Sequence, residues 1–191
     1  MPNICPPHVR VDFWAVKRTN QIVPKFKPVT EPKTNWYAIK IYTAKPEVMK
    51  YLKAHGIETY IPMLCGKPLL GSLVFLHCTE EEIVKTKADW FHQVMAYRDA
   101  DMEKPQAIPN SEMENFRMVL NIKNMEFIPL QIVDKHFLAG QKVRVLDGPL
   151  NGAIGVIKRI KGDRRLVVSV SGITAVATCF IRPELLENVE E

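Results

Sequence analysis

The chain has 191 residues, 47% of them hydrophobic and 25% charged, an ordinary composition for one or two folded domains that excludes a fibrous or wholly disordered protein. Its 26 basic and 21 acidic residues give a net charge of +5, which permits contact with nucleic acid. The four cysteines are too far apart for a zinc knuckle, so we expect no metal, no cofactor and no disulfide framework. Without a membrane-length apolar run or a signal-peptide core, a cytoplasmic protein with no membrane partner is expected.

Residues 1–35 differ from the rest of the chain in composition. They carry six basic and two acidic residues, and six of the 14 prolines. Proline fixes φ and removes a backbone donor, so this stretch is a poor candidate for a packed core. We expect a flexible basic extension; the alternative is that its apolar cluster at 13–16 docks on the next domain.

Residues 36–123 predict a folded domain in which strands and helices alternate. Strands are expected over 36–42, 57–63, 69–78 and 91–98, and helices over 46–55, from 80 to about 88, and from 111 onward. Right-handed crossovers and one antiparallel hairpin turn this order, β-α-β-β-α-β-α, into a ferredoxin-like α/β sandwich in an α+β protein. Residues 124–137 are the expected linker.

Two of the expected helix starts have the spacing of a capping box, in which a hydroxyl accepts from the third helical amide and an acidic side chain reaches back. Thr79 with Glu82 predicts one such start, and Ser111 with Glu114 predicts the other. The buried face of the last helix is expected to comprise Met113, Phe116 and Leu120.

Residues 138–191 keep a period near two. Strands are expected over 142–146, 153–160, 166–170 and 175–181, with turns at 147–152, 162–163 and 172. Several short strands within about 50 residues predict a small SH3-like β-barrel.

Residues 140–157 resemble the KOW motif, in which a strand leads into a Gly-Pro turn and a second strand centred on glycine. Gly148 and Gly152 suit positive φ, and Gly155 leaves room where the strand bends. Four segments of the preceding domain, at 36–40, 60–63, 67–76 and 104–109, resemble successive landmarks of the NusG N-terminal domain. The chain is most similar to the specialised NusG paralogues that serve capsule and surface-polysaccharide operons.

The resemblance implies a monomeric transcription elongation and antitermination factor. Its N-terminal domain would bind RNA polymerase, favour processive elongation, and suppress pausing and termination, while the KOW domain would bind Rho or the ribosome. The implied polymerase-binding residues are mainly apolar: Tyr60, Pro62, Leu69, Leu73 and Phe75. The alternative is that they are core; in the binding interpretation, Phe75→Asp abolishes polymerase binding without unfolding the domain. The family commonly has an aromatic residue at the position of Leu73 and a proline near Gly71.

Two basic clusters are candidates for contact with nucleic acid. The first lies near the second helix, where paralogues face non-template DNA, and comprises Lys85, Lys87 and His92; a solvated helix face is the alternative. The second flanks the Gly162-Asp163 turn and comprises Lys158, Arg159, Lys161, Arg164 and Arg165. It suits nascent RNA or an acidic partner, although this stretch contains no aromatic residue for stacking, and an ordinary charged hairpin is the alternative.

No enzyme motif is present, so no catalytic residue is expected. The glycines at 148, 152 and 155 lack the ending of a phosphate-binding loop. His77 and Cys78 are adjacent on a strand, so their side chains point to opposite faces and cannot form a nucleophile–base pair. The remaining alternative is an RNA-binding or ribosome-associated KOW protein, with its RNA affinity in the basic hairpin.

Overall fold

The N-terminal half of the chain is built on a four-stranded antiparallel sheet. The computed structural model describes residues 33–99, 101, 103–123, 125–130 and 140–189, so most of the expected basic extension lies outside the described residues. The elements of this half are β1 (Asn35–Ile41), α1 (Lys45–Ala54), β2 (Glu58–Tyr60), β3 (Met63–Leu64), β4 (Lys67–Pro68), β5 (Leu73–Cys78), α2 (Glu80–Asp89), β6 (Val94–Ala96) and α3 (Asn110–Leu120).

The strands of this sheet lie in the order β2-β5-β1-β6, and each pair of neighbours is antiparallel. The predicted alternation of strands and helices is confirmed, with a small hairpin of β3 and β4 added. This hairpin interrupts the strand expected over 57–63. Its turn residues, Cys65 and Gly66, have φ values of 48° and 76°, and positive φ at both positions is typical of a tight two-residue hairpin turn.

Two further strands are shorter than expected because residues at their expected starts form hydrogen-bonded turns instead. The strand expected over 69–78 begins at Leu73, since its amide donates to the Leu70 carbonyl (3.3 Å) in a turn that contains Gly71 at φ 63°. The strand expected over 91–98 is reduced to β6, because the Val94 amide donates to the carbonyl of Trp90 (2.9 Å).

One of the two expected capping boxes is confirmed and the other is wrong. At α2, Thr79 Oγ1 accepts from the Glu82 amide (3.2 Å), and the Glu82 carboxylate accepts from the Thr79 amide (2.8 Å). Helix α3 begins earlier than expected and has no side-chain cap, because the carbonyl of Pro109 already accepts from the amides of residues 112 and 113. Its buried face comprises Met113, Phe116 and Val119, while Leu120 is half-buried.

The two faces of this sheet pack against different parts of the chain. The first face packs against α1 and α2, in a core that includes the predicted set Tyr37, Ile39 and Ile41. The second face carries Ala38, Leu73 and Phe75 and packs against the buried face of α3. The same apolar cluster continues into the C-terminal half, so the second face of the sheet is covered from two directions.

The C-terminal half is a second, six-stranded sheet. Its strands are β7 (Ile128–Leu130), β8 (Lys142–Val145), β9 (Ile154–Ile160), β10 (Asp163–Val170), β11 (Thr174–Phe180) and β12 (Leu186–Asn188), in the spatial order β12-β8-β9-β10-β11-β7. Strand β7 belongs to the expected linker and pairs with β11, so part of that linker is a strand of this sheet. No described helix is long and apolar enough to cross a membrane.

Gly148 and Gly152 adopt the positive φ expected of them, and Gly155 lies where two strands approach closely, as expected. Gly148 and Gly152 have φ values of 80° and 85°, in the turn that joins β8 to β9. A Cβ atom at Gly155 would lie 2.4 Å from the carbonyl oxygen of Val167 on the neighbouring strand. Only glycine allows the two strands to approach this closely.

Candidate partner-binding surface

The structure brings the five residues of the expected polymerase-binding surface together. Leu73 and Phe75 lie on β5, and Tyr60 on β2 faces Phe75 in register, with the ring centroids 6.2 Å apart. Pro62 and Leu69 lie just outside the sheet and are joined by a hydrogen bond from the Leu69 amide to the Pro62 carbonyl (2.8 Å). We refer to these five residues as the apolar patch.

The apolar patch is covered rather than open. Phe75 is fully buried and packs edge-on against Phe116 of α3, with a centroid distance of 5.9 Å. Leu73 is buried, whereas Tyr60 and Leu69 are half-buried. An aspartate at position 75 would place an unpaired carboxylate in this core, so the expectation that Phe75→Asp leaves the domain folded is not supported.

Part of the apolar patch lines a groove between the two halves. The groove has a volume of about 660 Å³. Leu69 and Leu73 line it from the first half, and Ile173 lines it from the turn between β10 and β11. Further lining residues are Lys40, Leu70, Tyr97, Pro129, Leu130 and Thr174. Of the apolar patch, Leu69 and Leu73 therefore face a groove that a partner could enter without separation of the halves.

Polar side chains of the first half hold the turn between β10 and β11. The Glu112 carboxylate on α3 accepts from the amide (2.7 Å) and the hydroxyl (2.9 Å) of Ser171. The side-chain amide of Gln106 donates to the Ser171 carbonyl (2.6 Å). Ser171 has a φ of 43°, a left-handed conformation that serine adopts rarely, and these three bonds help to hold it there.

A further α3 residue pairs with the start of β9. The side-chain nitrogen of Asn115, Nδ2, donates to the Ile154 carbonyl (2.7 Å). Its side-chain oxygen, Oδ1, accepts from the backbone amide of Ile154 (2.9 Å). The asparagine side chain thus makes both backbone bonds that a neighbouring strand would make. We refer to Gln106, Glu112 and Asn115, with their partners Ser171 and Ile154, as the polar latch.

An arginine of α3 covers the aromatic margin of the apolar patch. The Arg117 guanidinium lies 5.4 Å from the Trp36 ring centroid and 5.1 Å from that of Tyr60, and its Nη1 atom is 3.7 Å from the Glu58 carboxylate. Burial raises the pKa of the Tyr60 hydroxyl above its ordinary value, although the positive charge of Arg117 opposes that shift. Tyr60 is therefore a neutral hydrogen-bonding group at physiological pH.

The candidate nucleic-acid residues near α2 lie on or beside a helix that also carries acidic residues. Lys85 and His92 are exposed and Lys87 is half-buried. The helix that carries the two lysines also carries four carboxylates, so its own net charge is negative. Phe91 beside them is 65% exposed and packs against the ring of His92. A DNA contact at these positions stays a prediction.

The second basic cluster lies on the hairpin of β9 and β10. Lys158 and Arg159 lie on β9, Lys161 lies in the turn, and Arg164 and Arg165 lie on β10. The Arg165 side chain donates to the Thr178 carbonyl (3.0 Å) and to the Asp163 carboxylate (3.2 Å). The residue that the sequence did not reveal is Phe180, which is 53% exposed and directly faces Arg165 from β11.

The adjacent His77 and Cys78 have separate surroundings, as their strand positions predict. The His77 ring stacks on Trp36, with a centroid distance of 5.0 Å, and lies 3.5 Å from the Glu58 carboxylate. Cys78 belongs to the core under α1 and α2, where burial raises the pKa of its thiol to about 12. The described residues contain no group of three or more potential metal ligands.

Comparison with known proteins leaves the family open. The sequence matches no protein-family model and no curated protein. A solved structure that describes domain interaction in Thermotoga maritima NusG matches 83% of this chain and 98% of its own, with 18% identity and a TM-score of 0.46. Similarity at this level carries no argument about activity, which depends on the residues described above.

Proposed function

We propose that this chain is a NusG-type transcription elongation and antitermination factor that binds RNA polymerase through its N-terminal half. The proposal includes a ferredoxin-like domain over 36–123 and a KOW domain over 138–191. The order β2-β5-β1-β6 with antiparallel neighbours supports the first, because the split β-α-β arrangement has this order. The glycine-dependent approach of β9 to β10 supports the second.

The observation that carries the proposal is the convergence of the apolar patch. Its residues come from β2, β5 and the segments beside them, and they meet on the sheet face that α1 and α2 do not cover. A helical hairpin of a partner protein buries a contiguous apolar surface, and the patch becomes one where its cover by the second half is displaced. Leu69 and Tyr60 remain half-exposed at its margin, where first contact is possible.

Because the two halves pack together over the patch, polymerase binding requires that they separate at least in part. Leu73 lies in the same apolar cluster as Leu166 and Val168 of the second sheet, so a partner that buries the patch competes with the chain's own C-terminal half. Polymerase binding then requires opening of the polar latch. In this arrangement the separated KOW domain is free to bind Rho or the ribosome.

A transcription assay tests the proposal. We expect the wild-type chain to increase read-through of pauses and terminators by purified RNA polymerase, and Leu69→Asp to remove this effect, because a carboxylate in the groove opposes burial by a partner. Leu146→Asp is the matched control, since Leu146 is 48% exposed in the second half and lies outside the patch. Equal activity of all three proteins would show that the patch is not the polymerase contact.

The proposal extends to operon specificity. By its resemblance to specialised paralogues, the factor acts on a restricted set of operons, such as a polysaccharide locus. Read-through in the assay above is then expected to depend on the promoter-proximal sequence of the template, and equal read-through on every template would assign a general elongation role instead.

A further inference from the structure

The groove between the two halves has a single charged side chain among its described lining residues. Its volume of about 660 Å³ lies within the range of roughly 300–1,000 Å³ that small-molecule sites occupy. The charged residue is Lys40, and no described lining residue carries a carboxylate. Among the described residues, no carboxylate lies within 4.0 Å of the Lys40 ammonium, which lies 5.3 Å from the ring centroid of Tyr42. The groove therefore holds a positive charge that the described part of the fold does not neutralise.

Lys40 and Tyr97 supply hydrogen-bond donors from the first half. Lys40 on β1 is directly opposite Leu73 of β5 and Met95 of β6, so these three side chains project from one face of the sheet. Tyr97 follows β6 and also lines the groove. Burial raises the pKa of the Tyr97 hydroxyl above its ordinary value, so this group is protonated at physiological pH. An ammonium and a hydroxyl are thus available to an anionic group in the groove.

The other walls of the groove are mainly apolar and come from both halves. Leu69 and Leu73 belong to the first half, and Leu130 and Ile173 belong to the second. Leu69, Leu130 and Ile173 are only half-buried. A hydrocarbon group in the groove would remove apolar surface of both halves from water, which is favourable in proportion to the area covered.

The groove does not suit an added peptide strand or a nucleic acid. Directly opposed residues of an antiparallel pair alternate between exchanging backbone hydrogen bonds and exchanging none. Pro129 of β7 has no amide hydrogen, so its pair with Val176 exchanges none, and Ile128 and Leu130 make the bonds to β11. At the free edge of β7, Pro129 therefore offers no donor to a further strand. A nucleic acid needs several cations for its phosphates, and the described lining supplies one.

We propose that the groove binds a small amphipathic carboxylate, with its head group at Lys40 and Tyr97 and its hydrocarbon body between Leu69 and Ile173. Because such a ligand contacts both halves, it binds the closed arrangement and stabilises it. It would then oppose polymerase binding. This last consequence rests on the proposed function, whereas the binding site itself is tested below without polymerase.

Isothermal titration calorimetry of the full chain with decanoate tests the site. We expect Lys40→Gln to weaken decanoate binding by about tenfold or more, the usual loss for one charge-assisted hydrogen bond. Lys53→Gln, the same change at an exposed position of α1, is the matched control and should bind like the wild type. Absence of binding by the wild type below millimolar concentrations, or equal affinities in Lys40→Gln and the wild type, would overturn the proposal.

Changes in the ligand separate the contribution of its charge from that of its hydrocarbon body, with the wild-type chain throughout. From butyrate through octanoate to decanoate, we expect affinity to rise by about two- to fourfold for each methylene group that enters the groove. Decanol, which has the same chain without the charge, should bind about tenfold more weakly than decanoate. Equal affinity for butyrate and decanoate would leave only a charge contact, and equal affinity for decanol and decanoate would leave only an apolar one. Either result would contradict the proposal.

Amide hydrogen exchange tests whether the ligand joins the two halves. The Ser171 amide donates to the Glu112 carboxylate of α3, so its exchange reports separation of the second half from the first. At a concentration that saturates the wild type alone, decanoate should slow exchange at Ser171 in the wild type and leave it nearly unchanged in Lys40→Gln. Unchanged exchange at Ser171 in the wild type with decanoate bound would show that the ligand does not contact both halves, and the proposed site would be wrong.

Discussion

At the scale of single residues, close backbone approach and burial decide what each position tolerates. Gly155 lies where a methyl group would collide with the carbonyl of Val167, and a backbone atom cannot move aside as a flexible side chain can. Gly162, in contrast, has open space around its Cβ position and is constrained only by its φ of 89°. Glycine is therefore required at 155 because there is no room for a side chain, and it is favoured at 162 because of the positive φ.

We expect Gly155→Ala to lower the free energy of unfolding by about 2 kcal/mol or more, because β9 and β10 must shift apart. Gly162→Ala should cost about 1 kcal/mol, the usual penalty of a left-handed conformation for alanine. Urea denaturation of both variants and the wild type measures the difference. A smaller loss in Gly155→Ala than in Gly162→Ala would contradict the close approach of the strands.

The burial of Cys78 leads to a second prediction, which concerns the reactivity of its thiol. Its thiol pKa is raised from an ordinary 9 to about 12, so the folded state disfavours the thiolate. The resulting contribution to stability is complete below pH 9 and is lost as the pH rises from 9 toward 12. At pH 8 we expect an alkylating reagent to modify the exposed Cys65 and to spare Cys78 until the chain unfolds.

Peptide mapping by mass spectrometry after timed alkylation measures both cysteines in one sample. Cys65 serves as the internal control, because it shares the reagent, the pH and the chain. Equal rates at the two positions under native conditions would show that the core under α1 and α2 is open to solvent.

At the scale of elements, α3 is the structural link between the two halves. One side of it, Met113, Phe116 and Val119, packs on the apolar cluster, and Asn115 pairs with the backbone of β9. Removal of the asparagine side chain leaves a half-buried amide and carbonyl at Ile154 without partners, which costs about 1–3 kcal/mol when such groups are shielded from water.

We expect Asn115→Ala to destabilise the contact of α3 with β9 and to accelerate hydrogen exchange at the Ile154 amide. Met118→Ala is the matched control, because Met118 lies on the same helix and is 40% exposed. Amide exchange measured by NMR in both variants tests this. Unchanged protection of Ile154 in Asn115→Ala would contradict the polar latch.

The elements also show what can be predicted from the sequence. Strand β8, with its strict alternation, was predictable because one of its faces is buried and the other is exposed. The start of α3 was mispredicted, since backbone bonds to Pro109 do the work that the Ser111 spacing suggested for a side chain. The polar latch could not be predicted from local sequence patterns. Glu112 and Ser171 are 59 positions apart, and each resembles an ordinary surface residue. Phe180 was missed because it joins the basic hairpin only through strand pairing.

At the scale of the whole molecule, the proposed function gives one apolar surface two competing uses. In the described structure the patch is buried by the chain's own α3 and second sheet. The proposed function requires that RNA polymerase replace part of that cover. The free energy that holds the latch closed is then subtracted from the free energy of polymerase binding, so loss of the latch should increase affinity.

The measurement that tests this most directly is the affinity of the full chain for core RNA polymerase. Three proteins are compared: the wild type, the latch variant Glu112→Ala/Asn115→Ala, and that variant with Leu69→Asp added. We predict that the latch variant binds about tenfold more tightly than the wild type, since each 1.4 kcal/mol removed from the closed state gives that factor, and that Leu69→Asp reverses the gain. Absence of binding by all three folded proteins, or an unchanged affinity after Leu69→Asp, would contradict the account.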